Sequence, residues 1–335
     1  GMLVSFNQFA IIFGQLVVYF VNFLILGDHT NPVITSIGQG FSQVVSGDPW
    51  TISTGWRYMF GSECVPAGLF TILICFVPET PRYLVLTGQD GKALRILTRI
   101  NGSEVAQQTL NDIKNTMTEK TEKLFSFGFM CVFVGIMLSV FQQAVGINAV
   151  LYYAPRIFTD MGMANPMMQT VIMGVVNITF TLVAVFTVEK LGRKPLLISG
   201  SIGMAIGAFG VALTFGNDSL STVTMLSIMV YSASFMFSWG PICWVYMAEL
   251  FPNTIRSSAT AIAVAFQWIF NFIVSSTFVP LFNMHLTRGD DFGHWFTYGL
   301  YGVICVVAAL FVWRLVPETK GKTLEDMTKL WRKQA

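Results

Sequence analysis

Eight stretches of this chain are long and apolar enough to cross a lipid bilayer, and they constrain its fold more than any other feature. A membrane-spanning helix needs about 20 mostly apolar residues. The eight stretches cover residues 3–26, 56–77, 125–150, 167–188, 195–215, 222–247, 257–282 and 293–315. They lack the apolar–polar alternation of membrane β-strands. The sequence therefore predicts an all-α integral membrane protein.

Composition narrows the function classes. Only 11% of the 335 residues are charged, against about 25% in a typical soluble domain. The net charge of +2 gives no reason to expect a nucleic-acid partner. The five cysteines form no C-x-x-C pair and the three histidines are scattered, so we expect no metal site and no cofactor. No nucleophile–base or metalloprotease motif is present, so we expect no enzyme activity.

The basic residues predict the orientation of the spans. All but three of the 20 Lys and Arg residues lie after the second, fourth, sixth and eighth stretches or, for Arg314, at the very end of the eighth. The exceptions are Arg57, Arg156 and Arg288. Cytoplasmic loops are enriched in Lys and Arg, so both ends of this chain are expected in the cytoplasm and the 27–55 loop outside.

A short motif recurs after two of the spans. VPETPR at 77–82 follows the second stretch, and VPETK at 316–320 follows the eighth. If the motif closes each half of a duplicated six-helix protein, the eight stretches are the last eight of twelve transmembrane helices (5–12) and four helices are missing. The alternative is a chance recurrence. The duplication predicts helices 5 and 6 in residues 1–81, a cytoplasmic helical linker in 82–124, a six-helix bundle in 125–316 and a cytoplasmic tail in 317–335.

Polar residues interrupt the apolar faces of several spans. Within the segment FQQAVGINAVLYY at 141–153, Gln142, Gln143 and Asn148 are amides in an otherwise apolar run. An unpaired amide in an apolar medium costs roughly 2–7 kcal/mol. Such groups either pair between helices or line a water-filled cavity. Amides offer donors and acceptors to hydroxyls, and nearby aromatic rings suit the apolar face of a neutral sugar.

The spacing of these three amides predicts a bend. On a straight helix, Asn148 would point about 120° from Gln142 and about 140° from Gln143. They cannot all face one small ligand unless the helix breaks. Gly146 lies between them, and glycine is tolerated where a membrane helix is interrupted. We therefore expect a break or an unwound turn near 145–149.

Motifs along nearly the whole chain resemble the sugar porter branch of the major facilitator superfamily. They are PETPR at 78–82, FQQAVGINAVLYYAP at 141–155, EKLGRK at 189–194, SWGPICWVYMAELFPNTIR at 238–256, QW at 267–268 and VPETKGKTLE at 316–325. The first sixteen residues resemble those of bacterial D-xylose–proton symporters. That family has two six-helix bundles joined by a cytoplasmic helical segment.

The resemblance implies roles for named residues. The sugar-binding positions it implies are Gln8, Gln142, Gln143, Asn148, Trp244 and Gln267. Secondary candidates for the same cavity are Gln15, Trp268 and Tyr152, which would close over the ligand. Ion pairs that latch the cytoplasmic side are expected from Glu189, Arg193, Glu249 and Arg256. The alternative for the basic members of this set is simple anchoring on the cytoplasmic side.

Glu63 is the intramembrane acid of the chain, in the outer third of the second stretch. It is a candidate for proton coupling, and the alternative is a structural partner for a polar group on a neighbouring helix. In the resembling symporters the coupling acid and its arginine belong to the first and fourth helices, which are among the four helices expected to be missing.

The expected function is import of D-xylose or a related hexose by alternating access with proton symport. The alternatives are an uncoupled facilitator and a sugar-binding membrane sensor. The expected partners are a sugar, a proton and the lipid bilayer. We expect a monomer in the bacterial inner membrane, which needs the missing N-terminal helices for function.

Overall fold

The computed structural model describes residues 2–26, 56–118, 123–162, 165–285, 292–322 and 324–334. These residues form α-helices, one short 3-10 helix at Asp218–Leu220 and no β-strand. The helices are α1 Met2–Leu26, α2 Trp56–Ser62, α3 Cys64–Ile74, α4 Pro81–Leu86, α5 Asp90–Asn101, α6 Ser103–Thr118, α7 Phe129–Ala144, α8 Ile147–Tyr152, α9 Ala154–Asp160, α10 Pro166–Leu191, α11 Arg193–Thr214, α12 Ser221–Phe237, α13 Trp239–Leu250, α14 Asn253–Phe282, α15 Phe292–Leu315 and α16 Leu324–Gln334. The predicted all-α class is confirmed.

Seven helical segments within these ranges are long and apolar enough to cross a membrane. The second predicted span, 56–77, is not among them because it is divided at Glu63 into α2 and α3. Proline has no N–H to donate, so Pro66 cannot bond to the carbonyl of Ser62 four residues before it. The expectation of one continuous helix over 56–77 is therefore wrong. The numbering of the spans as helices 5–12 of twelve stays a prediction.

The chain divides into two compact units, residues 47–123 and residues 1–46 with 124–335. In the first unit, α4, α5 and α6 pack around a small core of Leu84, Ala93, Leu97, Ala106 and Leu110. Gly102, at φ 81°, separates α5 from α6. The domain boundaries at 81, 124 and 316 stay predictions.

Small residues on α11 determine the packing of the second unit. Gly200, Gly203, Gly207 and Gly210 line the face of α11 that meets α12. A methyl group built on Gly207 would lie 2.6 Å from the backbone nitrogen of Tyr231. Glycine at such positions lets membrane helices approach backbone to backbone. The backbones of α11 and α12 are therefore in direct contact, which fixes the position of one helix against the other.

Two spans of this unit are interrupted. The span predicted at 125–150 stops at Ala144 and resumes at Ile147 as α8. The span predicted at 222–247 is also not continuous, because α12 ends at Phe237 and α13 begins at Trp239. Pro241 cannot donate to the carbonyl of Phe237, which explains a break at Ser238. The two interruptions place the ends of four helices inside the unit.

Candidate functional site

The interruption between α7 and α8 brings polar side chains together. Gly146 has φ 88° and ψ 5°, which is left-handed backbone, and the predicted break near 145–149 is confirmed. Gln142 and Gln143 occupy the last turn of α7, and Asn148 lies on the first turn of α8. Across the break, Nδ2 of Asn148 donates to Oε1 of Gln143 over 2.6 Å. A straight helix would have pointed these two amides far apart.

Gln142 joins three helices through its buried amide. Its Nε2 donates to the carbonyl of Trp239 at 3.1 Å and contacts that of Gly240 at 3.4 Å, at the start of α13. Its Oε1 accepts from Nε2 of Gln267 on α14 at 2.5 Å. Trp239 is itself held against α11, because its indole N–H donates to Oγ of Ser201 at 2.8 Å. The α13 end of this network is therefore anchored in the packed core.

The bonds of Gln142 determine which way Gln267 points. Two backbone carbonyls can only accept, so the atom of Gln142 beside them is the nitrogen. Its oxygen then requires a donor, and the nitrogen of Gln267 supplies it. The remaining atom, Oε1 of Gln267, is buried and has no hydrogen-bond partner among the described residues. An acceptor therefore remains in this network for a donor from outside the chain.

Gln143 forms a second amide group beside the first. Its Oε1 accepts from Asn148 and also from Nδ2 of Asn271 on α14, at 3.0 Å. Asn271, taken alone, is typical of interhelical pairing in membranes, and the structure shows it in that role. We call the group formed by Gln142, Gln143, Asn148, Gln267 and Asn271 the amide cluster.

Two further expected residues are Gln8, which lies beside α13, and Trp244, which belongs to it. Gln8 of α1 is buried, and a methyl group built on Gly240 would lie 3.5 Å from its Nε2. Trp244 is partly buried and lies one turn further along α13 from Gly240. Gln8 is therefore close to a backbone carbonyl contacted by Gln142, at the edge of the amide cluster.

The secondary candidates are placed elsewhere. Nε2 of Gln15 donates to the hydroxyl of Tyr19 at 2.7 Å, and that hydroxyl donates to the carbonyl of Leu151 at 2.8 Å. Gln15 thus ties α1 to α8 in this structure. The side chains of Tyr152 and Trp268 are 57% and 65% exposed. No hydrogen bond described for either reaches the amide cluster, so their predicted role in the cavity stays a prediction.

The amide cluster is uncharged, and it can both donate and accept hydrogen bonds. Each amide presents donors and acceptors, and its contacts join amides and backbone carbonyls. Groups of His, Cys, Asp and Glu suitable for a metal ion are absent from the described ranges. Such a surface suits an uncharged ligand rich in hydroxyl groups.

A separate charged cluster lies near the turn between α10 and α11. The side chain of Arg193 is 5% exposed, and its guanidinium contacts Glu189 at 3.1 Å and Glu249 at 2.8 Å. Each of the two carboxylates accepts two hydrogen bonds from the same guanidinium. Bidentate pairs of this kind are the stronger ones. Three of the four expected latch residues are therefore in contact.

The chain after α15 adds two residues that the sequence reasoning missed. The carboxylate of Glu318 accepts from the backbone N–H groups of Arg193 and Lys194 at 3.0 and 2.9 Å. Thr319 donates its hydroxyl to Glu249 at 2.6 Å. An anion at a helix N-terminus satisfies donors that lack helical partners. The sequence feature that could have indicated Glu318 and Thr319 is the recurring P-E-T motif, which was used only as a marker of helix ends.

Two candidates remain, Arg256 and Glu63. Arg256 donates to the carbonyl of Phe251 at 3.1 and 3.2 Å. Glu63 lies at the interruption between α2 and α3, and its side chain does not cap α3. Their predicted roles in latching and proton coupling stay predictions.

Comparisons with known proteins place the chain among transporters. Residues 1–331 match the family described as "Sugar (and other) transporter". The chain is 47% identical to the D-xylose-proton symporter of Escherichia coli K12 over 99% of its own length and 65% of the symporter's. It is 35% identical to the glucose facilitated diffusion protein of Zymomonas mobilis, over 100% of this chain and 68% of that protein. The chain thus spans about two thirds of the length of these relatives.

Solved structures agree with this likeness. The proton:xylose symporter XylE of the major facilitator superfamily, bound to 6-bromo-6-deoxy-D-glucose, matches with a TM-score of 0.80 at 47% identity. The match covers 99% of this chain and 67% of that one. An inward-open form of the E. coli xylose transporter matches with a TM-score of 0.75 at 46% identity, over 98% of this chain and 65% of that one.

Proposed function

Because this chain belongs to the sugar transporter family of the major facilitator superfamily, we propose that the protein carries a small neutral sugar across the bacterial inner membrane. The relatives that the chain resembles are transporters and not enzymes. The sugar is D-xylose or a related hexose, and it moves by alternating access with a proton. Both ends of this chain face the cytoplasm, in keeping with the distribution of Lys and Arg. The protein acts as a monomer.

The observation that carries the proposal is the amide cluster at the helix break. It is neutral, it joins α7, α8, α13 and α14, and its Oε1 of Gln267 is a buried acceptor that has no partner among the described residues. A sugar hydroxyl is a donor and an acceptor at once, so it can donate to that oxygen. Sites built from interrupted helices are common in transporters. A substrate bound there would contact two helices that begin or end at breaks.

We assign the sugar-binding role to the residues implied by the family likeness. They are Gln8, Gln142, Gln143, Asn148, Trp244 and Gln267. Five of the six are amides, and the ring of Trp244 supplies an apolar face for the carbon side of a sugar. Gln15, Tyr152 and Trp268 border the same cavity in this proposal. Tyr152 closes over the ligand from α8.

The charged cluster serves as the cytoplasmic latch of this cycle. Arg193 links α11 to α13 through Glu249, and Thr319 extends the link to the segment after α15. Opening the cytoplasmic side would separate some of these charge-assisted bonds, and their strength biases the equilibrium between states. Lys194 serves only as an anchor on the cytoplasmic side. Glu189 and Arg256 complete the latch.

The test is counterflow of labelled D-xylose and D-glucose in proteoliposomes that contain the protein expressed from its complete gene. We expect saturable exchange of D-xylose, blocked by unlabelled D-xylose and not by L-glucose. Protein-free vesicles are the control. Binding without exchange would replace the transport proposal by a sensor.

An uncoupled facilitator is the second candidate, and the 35% identity to a glucose facilitated diffusion protein favours it. The same vesicles with an imposed pH gradient separate the two. Symport predicts accumulation of sugar in response to an inward proton gradient, whereas a facilitator only equilibrates. Substitution of Glu63 by Gln tests its role, since accumulation lost with exchange retained would assign proton coupling to that carboxylate.

A further inference from the structure

We propose that Tyr231, on α12, is a positioning residue for the amide cluster, because its hydroxyl holds the carbonyl of Val145 at the helix break. The part of this inference that concerns sugar affinity rests on the proposed function. The part that concerns the geometry of the break stands without it. Tyr231 belongs to none of the sugar-binding or latch residues assigned above.

The break leaves the Val145 carbonyl outside the regular helical ladder. Helix α7 ends at Ala144 and α8 begins at Ile147, so Val145 and Gly146 belong to neither helix. The hydrogen bond to the Val145 oxygen comes from the hydroxyl of Tyr231. Val145 and Tyr231 are both buried. A buried carbonyl without a hydrogen-bond partner is destabilising, so this side chain satisfies a group that the break creates.

Tyr231 is itself held in place. Its backbone lies directly against Gly207 of α11, where there is no room for a methyl group. The turn at Gly146 is contacted from α15 as well, because a methyl group on Gly146 would lie 2.5 Å from the ring of Tyr301. One residue from α12 and one from α15 therefore fix two consecutive residues of the break. The break cannot shift without breaking the first contact or moving the second ring.

The position of this turn determines where Asn148 points. Asn148 follows Gly146 by two residues, and its amide reaches back to Gln143 over 2.6 Å. A rotation of the peptide between Val145 and Gly146 would redirect α8 and lengthen that contact. Small misplacements of this kind are enough to weaken recognition of a polar ligand. Tyr231 thus acts on the ligand through Asn148, without touching it.

The chain offers a matched control in Tyr298. Its side chain is fully buried on α15, and its hydroxyl has no hydrogen-bond partner among the described residues. Tyr298→Phe removes a hydroxyl from a buried tyrosine without breaking a described hydrogen bond. Tyr231→Phe removes the same atom and breaks the bond to Val145. The two variants differ in the one contact under test.

The first readout is hydrogen–deuterium exchange in nanodiscs, without any sugar, using the protein expressed from its complete gene. For Tyr231→Phe we expect peptides covering 143–153 to exchange about 5- to 150-fold faster than wild type, because the variant leaves the buried carbonyl of Val145 without its partner. For Tyr298→Phe we expect no change in these peptides. Equal exchange in the two variants would overturn the inference.

The second readout is counterflow of D-xylose. Tyr231→Phe should raise KM about 2- to 10-fold and leave the maximal rate within about twofold of wild type, and Tyr298→Phe should change neither. Faster exchange with an unchanged KM would reduce Tyr231 to a structural residue and overturn the positioning role. If wild-type protein neither binds nor moves sugar, the proposed function fails, while the exchange comparison still decides whether Tyr231 holds the break.

Discussion

Substitution of Gly146 by Ala tests the helix break most directly. Two costs follow from the structure. At φ 88° an L-residue with a Cβ is about 1–2 kcal/mol less stable than glycine. The added methyl would also lie 2.5 Å from two ring atoms of Tyr301, which is 3% exposed and cannot move into open space. Overpacking of this kind costs about 1–3 kcal/mol, so we expect a total loss of about 2–5 kcal/mol.

The free energy of unfolding can be measured by titration with SDS in lipid–detergent micelles. Gly299→Ala is the matched control, because Gly299 lies inside α15 with open space where its Cβ would be. Alanine is the better helix former by about 1 kcal/mol, so this variant should be as stable as wild type or more stable.

A double-mutant cycle with Tyr301→Leu separates the two costs. Without the tyrosine ring, the penalty for Gly146→Ala should fall to the backbone part of about 1–2 kcal/mol. The difference is the coupling between positions 146 and 301. If Gly146→Ala unfolds within about 0.5 kcal/mol of wild type, the reasoning from the left-handed backbone and the close ring is refuted.

Two other substitutions address the two clusters. Gln142→Leu leaves the nitrogen of Gln267 and the carbonyl of Trp239 without their present partner. The affinity for D-xylose, measured by calorimetric titration, should therefore fall at least about tenfold. An unchanged affinity would show that Gln142 is not part of the binding site. Arg193→Lys keeps the charge but cannot make a bidentate contact with Glu249, so the melting temperature of the protein should fall. Arg193→Gln removes the charge as well and should lower the melting temperature further. If Arg193→Lys and wild type melt at the same temperature, the planar guanidinium of Arg193 is not needed for stability.

The helical class and one of the breaks follow from local properties of the sequence. A run of about 20 apolar residues has few alternatives to a membrane helix. The break at Gly146 followed from geometry, because three amides that share a ligand cannot lie on one straight helix. The breaks at Glu63 and Ser238 were missed, although Pro66 and Pro241 each lie three residues further along. The missing N–H of proline was the available signal.

The partners of the polar groups could not be predicted in the same way. The bond from Tyr231 to Val145 joins residues 86 positions apart, and nothing local to either residue indicates it. The pairing of Gln142 with Gln267 depends on the relative rotation of α7 and α14. Long amide side chains have several rotamers, and their choice is made by packing. The family likeness supplied the identities of these amides, and the structure supplied their pairing.

The internal pairing of the amide cluster has a consequence for how long a ligand stays. Gln142 is already hydrogen-bonded to Gln267, and Gln143 to Asn148. A sugar of the proposed kind that displaces these bonds as it makes its own offsets part of each gain by a loss, so the net affinity is modest. When it departs, the amides pair with one another again, and of the buried side-chain atoms of the cluster only Oε1 of Gln267 lacks a partner among the described residues. In the proposed cycle, the ligand-free protein therefore has a low-energy state in which it can return to the other side of the membrane. A site that binds weakly and releases its ligand quickly is suited to repeated turnover.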